Sequence, residues 1–137
     1  MTTLDNSHIR NKERFDQFQS FANLKFGKLR PIDIDGFMEF RNKLFIFIES
    51  KTVNAQFSTG QRLALERLTD AIAVDPNKQS FCIVARHDTP ANEEVDTGNS
   101  LVYSYRHGGK WHEIETLAYT VRDFVESLIT AYVDEDN

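Results

Sequence analysis

The chain has 137 residues, 40% hydrophobic and 12% aromatic, with 11 Phe and a formal charge of −5. The length fits one domain over residues 1–137, and the 27% charged fraction is ordinary for a soluble protein with a proper core. The acidic balance excludes a protein that coats nucleic acid through general electrostatics, although a divalent ion can supply positive charge locally at a small site.

Residues 1–7 are a polar lead-in, and MTTLDNSHIRNKERF lacks the apolar run of a signal peptide. From His8 to Ala22 the positions Phe15, Phe18 and Ala22 recur at helical spacing and predict a first, amphipathic helix. LKFGKLR reads as a short strand or turn. In PIDIDGFMEF, Ile32 and Ile34 alternate with Asp33 and Asp35, the period of a strand. Arg41 to Lys43 makes a polar turn and LFIFIESK returns, so the two stretches predict an antiparallel hairpin. No unbroken apolar stretch is longer than its run Leu44 to Ile48, far too short to span a bilayer, and no membrane partner is expected.

TVNAQFSTG is a loop, and Gly60 to Val74 predicts a second helix with the apolar stripe Leu65, Leu68, Ile72, stopped near Pro76. SFCIVARHD is apolar enough for a central strand. It holds the lone Cys82, which makes no internal disulfide and belongs to no Cys/His zinc spacing; a reducing compartment and a cytoplasmic location are expected. TPANEEVDTGNS is an exposed acidic loop. LVYSYRHGGKWHEIE predicts a second hairpin turning at Gly108-Gly109. Arg106, His107 and Lys110 beside that turn, with His112, are candidates for DNA-backbone contact, against the alternative of a solvated turn. Leu117, Val121, Phe124, Leu128 and Ala131 predict a third helix from Thr116 to Val133, followed by a polar tail at 134–137. This order predicts an α/β (α+β) protein with a mixed central sheet flanked by helices and a C-terminal hairpin and helix.

The chemistry concentrates in the first hairpin. Side chains two apart on a strand share a face, about 6.6 Å apart, so Glu49 and Lys51 project together beyond Phe45 and Phe47. The turn brings the start of the preceding strand, with Asp33 and Asp35, beside them. Two carboxylates meeting at a sheet rim repel unless a cation stands between them, and Lys51 or a metal ion could be that cation. Oxygen ligands suit a hard ion such as Mg²⁺.

The stretch PIDIDGFMEFRNKLFIFIESK resembles the PD-(D/E)XK nuclease superfamily, where an aspartate precedes a strand ending in Glu-x-Lys. The resemblance covers about Leu24 to Ala85 and implies a restriction-endonuclease-like fold, with LKFGKL as the first of three strands. It also implies a Mg²⁺- or Mn²⁺-dependent hydrolase of DNA phosphodiesters. Asp35, Glu49 and the backbone carbonyl of Ser50 would hold the metal, and Lys51 would position the attacking water. Gln61, at the polar end of the second helix's apolar stripe, would support the site. Asp33 is a rival for the role of Asp35. Glu13 is the nearest match to the glutamate that some members carry in the first helix, although it falls opposite Phe15 and Ala22. A chain of this size suits a phage or mobile-element gene and a homodimer or larger protein partner. Two other readings stay open: a catalytically silent module of the same fold that binds protein or nucleic acid, and a different metal-dependent phosphoesterase.

Overall fold

The structure, a computed structural model, describes residues 20–116 and 118–134. The chain separates into two units, Met1–Asp33 and Ile34–Asn137. The first expected helix and Glu13 lie outside the described residues up to residue 19, as do Leu117 and residues 135–137.

Within the first unit, Ala22–Leu24 form one 3₁₀ turn. The expected first strand, LKFGKL, is not a strand. Phe26 and Leu29 exchange both backbone hydrogen bonds across a turn, with Gly27 at φ +63°, so the donors and acceptors that a neighbouring strand would need are used locally.

The second unit is a five-stranded mixed sheet with one long helix on each face. Its elements are β1 (Gly36–Phe40), β2 (Leu44–Thr52), α1 (Thr59–Ile72), β3 (Gln79–His87), β4 (Leu101–His107), β5 (Lys110–Glu113) and α2 (Val121–Tyr132). The sheet order is β1-β2-β3-β4-β5; only the β2–β3 pair is parallel, joined by the α1 crossover. The coarse expectation of a mixed sheet between helices is met. Both hairpins turn through two residues with positive φ, Arg41 and Asn42 (50° and 59°) and Gly108 and Gly109 (65° and 79°). That handedness matches the twist of the strands it joins.

Strand β2 is buried on both faces, as its continuous apolar run requires. Leu44, Ile46 and Ile48 join Phe81, Ile83, Ala85 and Val102 beneath Val121, Val125 and Leu128 of α2. On the other face Phe47 and Cys82 meet Leu65 of α1, with Phe57, Ile72 and Trp111 at the margin. The α1 stripe differs from the expected one. Leu65 and Thr69 are buried, whereas Leu68 is 39% exposed. The helix presents Glu66 and Asp70 to the sheet because Trp111 and Arg106 there require acceptors, and this rotation carries Leu68 outward. Helix α2 begins at Val121, not Thr116, where the Thr120 hydroxyl accepts from the Asp123 N–H and caps the first turn.

Candidate metal and phosphodiester site

The geometry starts at the point where the first hairpin stops pairing. Residues 32–35 were expected to be strand, but the β1–β2 ladder ends at Gly36 opposite Ile48. Asp35, one residue before, takes up a different arrangement. Its N–H donates to Oε1 of Glu49 at 3.4 Å, and its Oδ2 accepts from the N–H of Ser50 at 2.8 Å. Each chain segment thus receives the other's carboxylate where ladder hydrogen bonds would have continued.

The open edge also fixes the direction of the Ser50 carbonyl. The backbones of Lys43 and Val53 bond to β3, through Gln79 N to Lys43 O and Val53 N to His87 O. Strand alternation therefore sends the odd-numbered residues of β2 toward β3 and Ser50 toward the β1 side. Its N–H on Asp35 agrees, so its carbonyl points to the same edge as the Asp35 carboxylate.

Gln61 closes the group. Ser58 caps α1 by accepting from the Gln61 N–H at 3.3 Å, which sets Gln61 in the first turn and directs it at the end of β2. The Ser58-to-Gln61 spacing is that of a capping box. The side-chain amide then bridges acid and amine: Nε2 donates to Glu49 Oε2 at 3.0 Å, and Oε1 accepts from Lys51 Nζ at 3.0 Å. The Lys51 ammonium also stands 5.5 Å from the centroid of the Phe57 ring. Asp35, Glu49, Ser50, Lys51 and Gln61 therefore meet at one corner, whereas Asp33 belongs to the other unit.

Electrostatically the corner is short of positive charge. Glu49 is fully buried, and its carboxyl is pushed up from 4.5 to about 7. Loss of water is the largest cause, followed by repulsion from Asp35; Lys51 opposes both with a weaker pull. An all-oxygen donor set with an unbalanced carboxylate pair fits a hard divalent ion such as Mg²⁺ or Mn²⁺, which would relieve that repulsion. Among the described residues no group of three or more His, Cys, Asp or Glu is arranged to hold a metal, so the two carboxylates would need the Ser50 carbonyl and water to complete a coordination sphere.

The second hairpin is built differently from the expected phosphate-gripping tip. Arg106 is turned to α1 and makes a two-pronged pair with Asp70, Nε to Oδ1 at 3.1 Å and an Nη2 contact of 2.6 Å to Oδ2. His107 lies flat on Phe81, ring centroids 4.0 Å apart, with Nδ1 3.2 Å from the Ser80 carbonyl oxygen. His112 stacks on Tyr105. Of these residues Lys110 alone is fully on the exposed side of the turn.

Sequence reasoning passed over three neighbours of the corner. The parallel register sets Val84 beside Glu49 and Arg86 beside Lys51. Arg86 donates to the carbonyls of Thr52 and Ala55, which fastens the loop carrying Phe57. The signal was present in the crossover pattern: two parallel strands joined by a helix end side by side, so ARH at the end of the second lies next to ESK at the end of the first.

Compared with protein-family models, curated proteins and solved structures, the chain matches none. Among the described residues no helix is long and apolar enough to cross a membrane.

Proposed function

We propose that this chain is a metal-dependent nuclease of the restriction-endonuclease-like, PD-(D/E)XK type, hydrolysing phosphodiester bonds in DNA. One observation supports this above the others: Asp35, separated in sequence from Glu49 and Ser50 by the hairpin, is clasped to both at the open end of β2 with Lys51 and Gln61 beside them. In this reading Asp35, Glu49 and the Ser50 carbonyl hold Mg²⁺ or Mn²⁺. The ion, when bound, polarises the phosphodiester and acidifies water. Lys51 orients the attacking water and neutralises charge that builds on the phosphate oxygens, and Gln61 keeps the Lys51 ammonium and the Glu49 carboxylate in register.

The decisive experiment is cleavage of plasmid and single-stranded DNA with Mg²⁺ or Mn²⁺ by the wild-type chain and by Glu49→Ala and Lys51→Ala. Metal-dependent cleavage abolished by either substitution supports the reading. No divalent-ion binding and no cleavage on any substrate sinks it. A second reading, a catalytically silent binding module of the same fold, draws support from the closed chain Lys51–Gln61–Glu49, which joins amine to acid through one amide without any ion.

A further inference from the structure

Beside the corner, on the same face of the sheet, runs a groove of about 300 Å³ whose walls include Phe57, Arg62, Val84, Arg86, Tyr103 and Trp111. Val84 and Arg86 are the cross-strand neighbours of Glu49 and Lys51, so the groove begins one strand spacing, about 4.8 Å, from the proposed site. Phe57 belongs to both, with Lys51 over its ring and Trp111 edge-on to it at 6.2 Å between centroids. At the other end Tyr103 is 43% exposed, and the Arg86 guanidinium lies 5.3 Å from its ring centroid. The Arg62 side chain is 49% exposed at the rim. Ser104 and Glu113 add hydrogen-bonding groups to the wall.

Aromatic faces interleaved with guanidinium groups suit an unpaired nucleobase with its phosphates: the rings stack the base whatever its identity, and the cations follow the backbone. Such a groove also answers a problem set by composition. A chain of net charge −5 gains little from long-range attraction to DNA, so its affinity must come from short-range contacts. Stacking is one, and a base pair cannot offer its faces to it while it remains within a duplex.

We infer that this groove binds an unpaired base flanking the scissile phosphate, so that the preferred substrate is single-stranded DNA or a frayed or branched end. The inference rests on the nuclease reading for the position of the phosphate, and on the groove alone for the stacked base.

Trp111 is the chain's one tryptophan and reports on the groove directly. The test is a fluorescence titration in EDTA, where no metal-dependent cleavage intervenes, with oligo(dT), oligo(rU) and a blunt duplex. Oligo(dT) quenches Trp111, oligo(rU) does so as well because the rings stack the base and not the sugar, and the duplex does so at least tenfold more weakly. Tyr103→Ala, a substitution at an exposed position, weakens oligo(dT) binding roughly 5- to 150-fold, the range for losing one stacked base. Arg62→Ala weakens it and flattens its salt dependence. No quenching by any single strand, equal quenching by the duplex, or unchanged affinity in Tyr103→Ala overturns the inference. The two readings fail separately. Quenching without cleavage in Mg²⁺ or Mn²⁺ keeps the groove and removes the nuclease; duplex cleavage with no quenching and no effect of Tyr103→Ala keeps the nuclease and removes the groove.

Discussion

Replacing Glu49 by glutamine tests the electrostatics of the corner without reference to any activity. The folded chain holds the Glu49 proton more tightly than the unfolded chain, because burial and Asp35 push the carboxyl up from 4.5 to about 7. Between those two values the native state carries more protons than the unfolded one, so stability falls as pH rises, and the whole penalty is present above about pH 7. At about 1.36 kcal/mol per pH unit the displacement corresponds to about 3 kcal/mol. Glutamine has no such titration. It keeps one acceptor for the Asp35 N–H or the Gln61 amide and loses the other, a cost of about 1 kcal/mol at every pH. The two stability curves therefore cross at about pH 5: Glu49→Gln is less stable than wild type below the crossing and more stable at pH 8, by about 2 kcal/mol. Urea unfolding from pH 4.5 to 8.5 reads the difference as a shift in midpoint on the order of 1 M. A difference that stays flat with pH refutes the buried, uncompensated carboxylate. Under the nuclease reading, saturating Mg²⁺ lifts the wild-type curve above pH 7 and leaves Glu49→Gln nearly unmoved.

Other expectations follow from single contacts. Gln61→Ala removes the bridge between Lys51 and Glu49 and costs about 1–3 kcal/mol, more at pH 8 than at pH 5, in the same urea assay. Asp70 and Arg106 couple by about 1 kcal/mol in a double-mutant cycle, discounted for the 37% exposure of Asp70, and Arg106→Lys does not restore it because the two-pronged geometry is lost. Arg41→Gly raises the thermal midpoint by a few degrees, whereas Gly108→Ala lowers it by about as much, since both positions hold positive φ and only one already has glycine. Cys82, fully buried with its thiol pushed up to about 12, stays unmodified by a thiol reagent at pH 8 until the chain is unfolded.

How much of this could be read from residues alone depends on whether a side chain answers to its own strand or to a distant partner. LFIFIESK announced a strand buried on both faces, and a polar tripeptide before it fixed a hairpin; those two facts suffice to bring Asp35 opposite Glu49, because the tripeptide turn pairs Phe40 with Leu44 and that register runs down the ladder to Gly36 and Ile48. Gln61 was legible for the same reason, through its position on the stripe of Leu65. What the pattern concealed was set by tertiary partners. Leu68 scored as core until Trp111 and Arg106 claimed Glu66 and Asp70 and turned the helix. The alternation of Ile32 to Asp35 imitated a strand, yet the carboxylates of Asp35 and Glu49 capture the backbone groups that a longer ladder would have used. The hairpin tip looked cationic because charge was counted along the chain, whereas Arg106 and His107 lie on opposite faces and each is occupied by its own side of the sheet. The separation of Arg106 from His107 at the tip and the meeting of Glu49 with Lys51 at the corner share one cause. Period-two alternation tells which side chains point together, and at Glu49 and Lys51 that was the information needed; at Arg106 and His107 it separates neighbours in sequence, and the polar reading ignored it.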